Sequence, residues 1–140
     1  MTDYAPEFLL GAFVGEGNIE TYILGSGTVN PGDMVKLSSS TASAVSTVVP
    51  IVSAGDPVIG VVQRVWTAMG TTWVSVIQRG KAKMTAWGSV SIGAKVKAHS
   101  QSTFAAWVSG TDATAAAFGT AQQAAACGDT VIVMVDTAPV

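Results

Sequence analysis

The chain has 140 residues, one cysteine and a net charge of −2, and 11% of its residues are charged, against roughly 25% in an ordinary soluble domain. A single cysteine excludes an intrachain disulfide. The acidic balance argues against sequence-independent nucleic-acid binding, which basic charge drives, and the longest apolar stretch, residues 45–62, holds Pro50, Asp56 and Pro57 and so is no membrane helix.

Hydrophobic residues make up 49% of the chain and mean hydropathy is +0.45. Two readings fit so little charge: a surface partly covered by partners in an assembly, or one of Ser, Thr and Gly that is polar yet uncharged. The length suits one domain with its own core. Charge is placed unevenly. Asp3, Glu7, Glu16 and Glu20 make the first twenty residues wholly acidic, while Arg79, Lys81, Lys83, Lys95 and Lys97 gather in the middle. An acidic start lacks the positive charge of a signal peptide.

Residues 1–16 read as an N-terminal arm. Tyr4, Phe8, Leu9 and Phe13 are apolar anchors, while Pro6, Gly11 and Gly15 break any regular period. Such a segment either covers the domain or reaches onto a neighbouring molecule. Residues 17–140 form the domain proper. Strands are predicted at 18–24, at 34–37 after Pro31-Gly32-Asp33, within the apolar run 45–52 beyond a polar loop at 38–43, and at 59–66. Gly70 opens the next turn. Two strands follow, 73–79 and 81–87; in the second, Lys81, Lys83, Thr85 and Trp87 share one face while Ala82, Met84 and Ala86 share the other. Gly88 and Gly93 bracket a connection before 95–100, where Lys95, Lys97 and His99 point outward. Strands at 104–108, 118–124 and 130–136 complete the set. The alanines of 113–126 favour helix by propensity, yet Phe118-Gly119-Thr120-Ala121 echoes Ile59-Gly60-Val61-Val62. The fold class is therefore all-β: a single compact β-barrel or sandwich of about nine or ten short strands.

One phrase recurs, a Gly-Asp turn leading into an apolar strand: Pro31-Gly32-Asp33-Met34-Val35, Ala54-Gly55-Asp56-Pro57-Val58 and Cys127-Gly128-Asp129-Thr130-Val131, with a degraded copy at Ile92-Gly93-Ala94-Lys95-Val96. Gly supplies the positive φ of a tight turn, and Asp bonds nearby backbone. That accounts for Asp33, Asp56 and Asp129 without catalysis; a Ca²⁺ site would need the three turns at one rim and helper ligands that are not near in sequence. His99 is the only histidine and sits on a lysine-bearing face, so no triad is indicated. Cys127 has no second histidine or nearby cysteine, and reads as a buried or half-buried small residue. No cofactor and no metal is predicted, and no phosphate loop exists. Four tryptophans are many for this size. Trp87 stands on the lysine face, where core packing is hard to sustain, and is the first candidate interface anchor; Trp107 is the second.

Taken in order, Gly17-Asn18-Ile19-Glu20-Thr21-Tyr22, 29–37, 54–61, 74–82 and 118–133 give a chain that resembles the small capsid decoration, or cement, proteins of tailed bacteriophages. The resemblance implies a β-barrel-like, non-enzymatic protein on the outer surface of the capsid. It would bind the major capsid protein and stabilise its lattice, and would self-associate, often as a homotrimer, with neither nucleic acid nor membrane as partner. It carries no catalytic motif. A protein so placed is made in the host cytoplasm and ends in the virion. The expected contacts are Tyr4, Phe8, Leu9 and Phe13 of the arm, and Lys81, Lys83, Trp87 and Trp107 of the domain. The alternative is a small-ligand or glycan-binding barrel of a head fibre or adhesin, since exposed aromatics also stack on sugars.

Overall fold

A computed structural model describes residues 13–38 and 47–137. The arm anchors Tyr4, Phe8 and Leu9, and most of the polar loop, lie outside the described residues. Among those described, nine strands run in chain order: β1 (Phe13–Leu24), β2 (Met34–Leu37), β3 (Thr47–Pro50), β4 (Gly60–Ala68), β5 (Thr71–Ala86), β6 (Lys95–Ala98), β7 (Thr103–Ala106), β8 (Ala117–Ala121) and β9 (Thr130–Asp136). One 3₁₀ turn, Thr114–Ala116, is the sole helical element among them, and no helix is long and apolar enough to cross a membrane. The all-β class stands. β1 begins at Phe13, so the last residues of the predicted arm already run in a strand, Phe13 opposite Ala82.

The Gly-Asp turns work as their chemistry requires. Gly32, Gly55 and Gly128 have φ of +95°, +83° and +91°. In each case the following aspartate accepts the amide three residues earlier: Asn30 to Asp33 at 3.0 Å, Ser53 to Asp56 at 3.0 Å and Ala126 to Asp129 at 2.9 Å.

The strands close into two rings that share β5. In the first, β1 pairs in parallel with β3, then β3 with β2, β2 with β4, β4 with β5 and β5 with β1, all antiparallel. In the second, β5 pairs in parallel with β7, then β7 with β6, β6 with β8, β8 with β9 and β9 with β5, again antiparallel. The second barrel repeats the first strand for strand, with β5 last in one and first in the other. Closure removes the free edges that invite aggregation.

Away from the bulges, the registers match residue for residue. Ile23 and Leu24 lie opposite Thr47 and Val48, as Thr85 and Ala86 lie opposite Thr103 and Phe104. Turn bonds repeat as well. The Gly32 amide donates to Val62 O and the Gly93 amide to Ala121 O, both at 2.8 Å; Ile51 donates to Met34 O as Trp107 donates to Lys95 O. The degraded Gly-Asp copy at Ile92 to Val96 is thus the structural counterpart of Pro31 to Val35. The two well-preserved later copies precede β4 and β9, which are not counterparts.

Several sequence expectations change; the strands expected at 45–52, 95–100 and 104–108 run 47–50, 95–98 and 103–106. Strands 73–79 and 81–87 are one 16-residue strand. Its even-numbered side stays buried from Val74 to Ala86, and Gly80, at φ +138°, carries the chain from one barrel to the other without a break. β8 stops at Ala121 instead of 124, because the Ile132 amide donates to the Gln123 side-chain oxygen at 2.9 Å and the chain then turns. Cys127 is exposed, not buried, since it stands at the corner of the last Gly-Asp turn.

Tyr22, Val29, Val35, Val48, Val62, Val74 and Val76 pack as one buried cluster inside the first barrel. Their counterparts, Met84, Val90, Val96, Phe104, Ala121, Val131 and Val133, are all buried in a larger cluster. That cluster also holds Met34, Ile51, Val61 and Ile77 from the outside of the first barrel, with Ala82, Ala98, Phe118 and Val135 of the second. The barrels are joined by an apolar seam. Backbone bonds cross it, from the Met34 amide to Gln101 O at 2.8 Å and the Gly55 amide to Ala98 O at 2.9 Å.

Candidate functional site

On β5, Lys81, Lys83 and Thr85 face outward while Ala82, Met84 and Ala86 are buried, as the alternation predicts. Neither Lys81 nor Lys83 has an ion-pair partner among the described residues. The three ion pairs there use Lys36, Arg79 and Lys97 instead. Trp87 follows directly and is 52% exposed. Its ring stacks on His99, with centroids 4.5 Å apart and planes 9° from parallel. His99 is half-buried and its Nδ1 lies 3.2 Å from Thr103 Oγ1. The histidine therefore braces a half-exposed tryptophan. A large aromatic held rigid at the surface loses little entropy on being covered, which suits an anchor.

Trp107, just past β7, is half-buried. Its Nε1–H donates to Ala113 O at 2.8 Å, and Lys95 Nζ lies 5.3 Å from the ring centroid. β6 and β8 bring Lys95 and Thr120 opposite each other, and β8 and β9 do the same for Thr120 and Met134. These residues and Trp107 make the outer face of the second barrel. Phe13 starts β1, its backbone opposite Ala82.

The first barrel carries a cleft of about 690 Å³ that sequence reasoning missed. Glu20 and Tyr22 of β1, Lys36 and Leu37 of β2, Ile59 and Gln78 line it. Gln78 Nε2 donates to Tyr22 Oη at 2.6 Å. Burial, and then the nearby Glu20 charge, push the Tyr22 phenol above its ordinary value. Leu37 is 55% exposed. Lys36 bonds Asp56 at 3.1 Å; the Ser53 amide first, then Lys36 and the Val52 amide, hold that carboxyl below the usual range against the cost of burial. The pair recurs in the second barrel as Lys97 and Asp112 at 2.7 Å, with Asp112 also accepting the Val108 amide. The signal for the cleft was Leu37 standing where the other barrel has Ala98, which only the strand registers expose.

No three His, Cys, Asp or Glu side chains gather among the described residues. The cleft combines a phenol, an amide and a leucine with the charged Glu20 and Lys36. No protein family and no curated protein sequence matches the chain. Its fold is similar to that of the N base of the head fibre gp8.5 of bacteriophage phi29, at 13% sequence identity and a TM-score of 0.60, over 88% of this chain and 98% of that one.

Proposed function

We propose that this protein is a non-enzymatic structural component of a bacteriophage virion that sits on the outer capsid surface and cements the major capsid protein lattice. The observation that carries the reading is the likeness to a head-fibre base along almost the whole of both chains. The braced, half-exposed Trp87 supports it, as do Lys81 and Lys83, which have no ion-pair partner among the described residues. Adhesion would work by addition. Each copy covers on the order of 1,000 Å² across neighbouring subunits, and many copies raise the cost of separating them. Trp87, Lys81 and Lys83 form one contact, Trp107 a second, and Tyr4, Phe8, Leu9 and Phe13 of the arm a third. The partners are the major capsid protein and further copies of this chain, a trimer being favoured; nucleic acid and membrane have no part. Synthesis is in the host cytoplasm.

Co-sedimentation with expanded empty heads tests this. Wild type is expected to saturate the heads. Trp87→Ala is expected to bind at least tenfold more weakly with an unchanged melting point, and removal of residues 1–12 to lower occupancy. Wild type left in the supernatant at every head concentration would end the proposal. A second reading, a glycan- or small-ligand-binding module of a head fibre or adhesin, draws on the same fibre-base fold and on the Tyr22 cleft. A screen against host polysaccharides separates the two.

A further inference from the structure

We propose that copies of this protein associate head to tail, the first-barrel cleft of one copy receiving the Trp107 face of the second barrel of the next. The relation would be the one that already joins the two barrels within a chain. In the second barrel, Ala82, Ala98, Phe118 and Val135 are buried in the seam. The registers make their first-barrel counterparts Glu20, Leu37, Ile59 and Gln78. Those four residues line the open cleft. The place where the second barrel receives the first is thus the place where no described residue covers the first barrel.

The other half of the seam behaves the same way. Met34, Ile51, Val61 and Ile77 of the first barrel are buried there. Their counterparts are Lys95, Trp107, Thr120 and Met134. Lys95 is exposed and the other three are half-buried on the outside of the second barrel. Among the described residues, each chain therefore carries one unmatched socket and one unmatched plug of a joint it already makes once.

The two free faces differ from the seam in charge: the socket carries Glu20 where the second barrel has Ala82, and the plug carries Lys95 where the first barrel has Met34. Where the seam has Ile51, the plug has a tryptophan, and the socket is a roomy cleft. Contacts of this kind, between two different faces, propagate into a closed ring or a filament; they do not stop at a two-fold dimer. The inference needs no capsid and stands apart from the proposed virion role.

Sedimentation of the purified protein at micromolar concentrations, without heads, tests it. Wild type is expected to run as a species of three or more copies. Leu37→Arg, which spoils only the socket, and Lys95→Glu, which spoils only the plug, are each expected to run as monomers with wild-type melting points. Trp107→Ala serves as a second plug variant. Mixed one to one, a socket variant and a plug variant retain one good socket and one good plug between them, and are expected to form dimers and nothing larger. Monomeric wild type at every concentration would overturn the proposal. So would socket variants that still assemble while folded, or a mixture that stays monomeric.

Discussion

The two barrels share every strand pairing yet differ in what fills and covers them. Inside, Val48 becomes Phe104 while Val62 becomes Ala121: a large residue enters where another shrinks, and both barrels remain filled. At the mouth, the hydrogen-bonded pair Tyr22 and Gln78 becomes Met84 and Val135. The first barrel's mouth opens on the cleft, where a phenol and an amide satisfy each other. The second barrel's mouth is sealed by the first barrel, where polar atoms would be stranded. Backbone topology is set by turns and pleats common to both units; side-chain chemistry is set by whatever lies over each unit.

Four experiments break or sharpen that contrast. Phe104→Ala is expected to cost about 3–5 kcal/mol, read from the urea midpoint, and Val48→Ala distinctly less, since fewer buried atoms are lost. Equal costs would mean the interiors are not differently filled. Next come the paired glycines of β4 and β8. A Cβ on Gly60 would lie 2.6 Å from Ile77 O, and one on Gly119 would collide with Met134 O. Alanine at either position is expected to cost about 1–3 kcal/mol, by similar amounts if the barrels are true counterparts. A tolerated Gly119→Ala beside a damaging Gly60→Ala would break the equivalence.

The mouth pair gives a smaller effect with a sharper logic. Tyr22→Phe leaves the buried Gln78 amide without its acceptor and is expected to cost about 1–3 kcal/mol. Adding Gln78→Val, the residue type of the second barrel, is expected to recover part of the loss. A double variant no better than the single would show that burial, not the unpaired amide, sets the cost. Smallest is the acid response of the two Lys-Asp pairs. The amide of Ser53 at Asp56, and Lys97 at Asp112, hold these carboxyls below the ordinary value. Their contribution is present above the unfolded value of about 3.9 and lost as pH falls through the lower folded value. The urea midpoint is expected to drop below pH 4, and Asp56→Asn with Asp112→Asn to flatten that drop. An unchanged slope would remove the pairs from the account.

Much of this was legible in the chain. β2 and β9 begin and end where alternation and turn chemistry put them, and all three Gly-Asp turns bond as their residues dictate. The Ile59-Gly60 and Phe118-Gly119 echo marked true counterparts. The duplication itself was hidden, because its best-preserved phrases sit before strands that do not correspond and its true counterpart has lost the aspartate to Ala94. The unity of β5 was hidden too: Gly80 punctuates the sequence where the strand passes between barrels. The cleft left no local sign, since Leu37 and Gln78 mark it only once the strand registers set them beside Ala98 and Val135. Tyr4, Phe8 and Leu9 lie outside the described residues, and their roles rest on the sequence.

The central claim is that this protein is an adhesive part of a shell. Heat-triggered release of DNA from filled heads, measured with and without saturating protein, tests it most directly. Decorated heads are expected to hold their DNA to a higher temperature, with the gain reduced for Trp87→Ala. Release at the same temperature with the shell fully occupied would contradict the account.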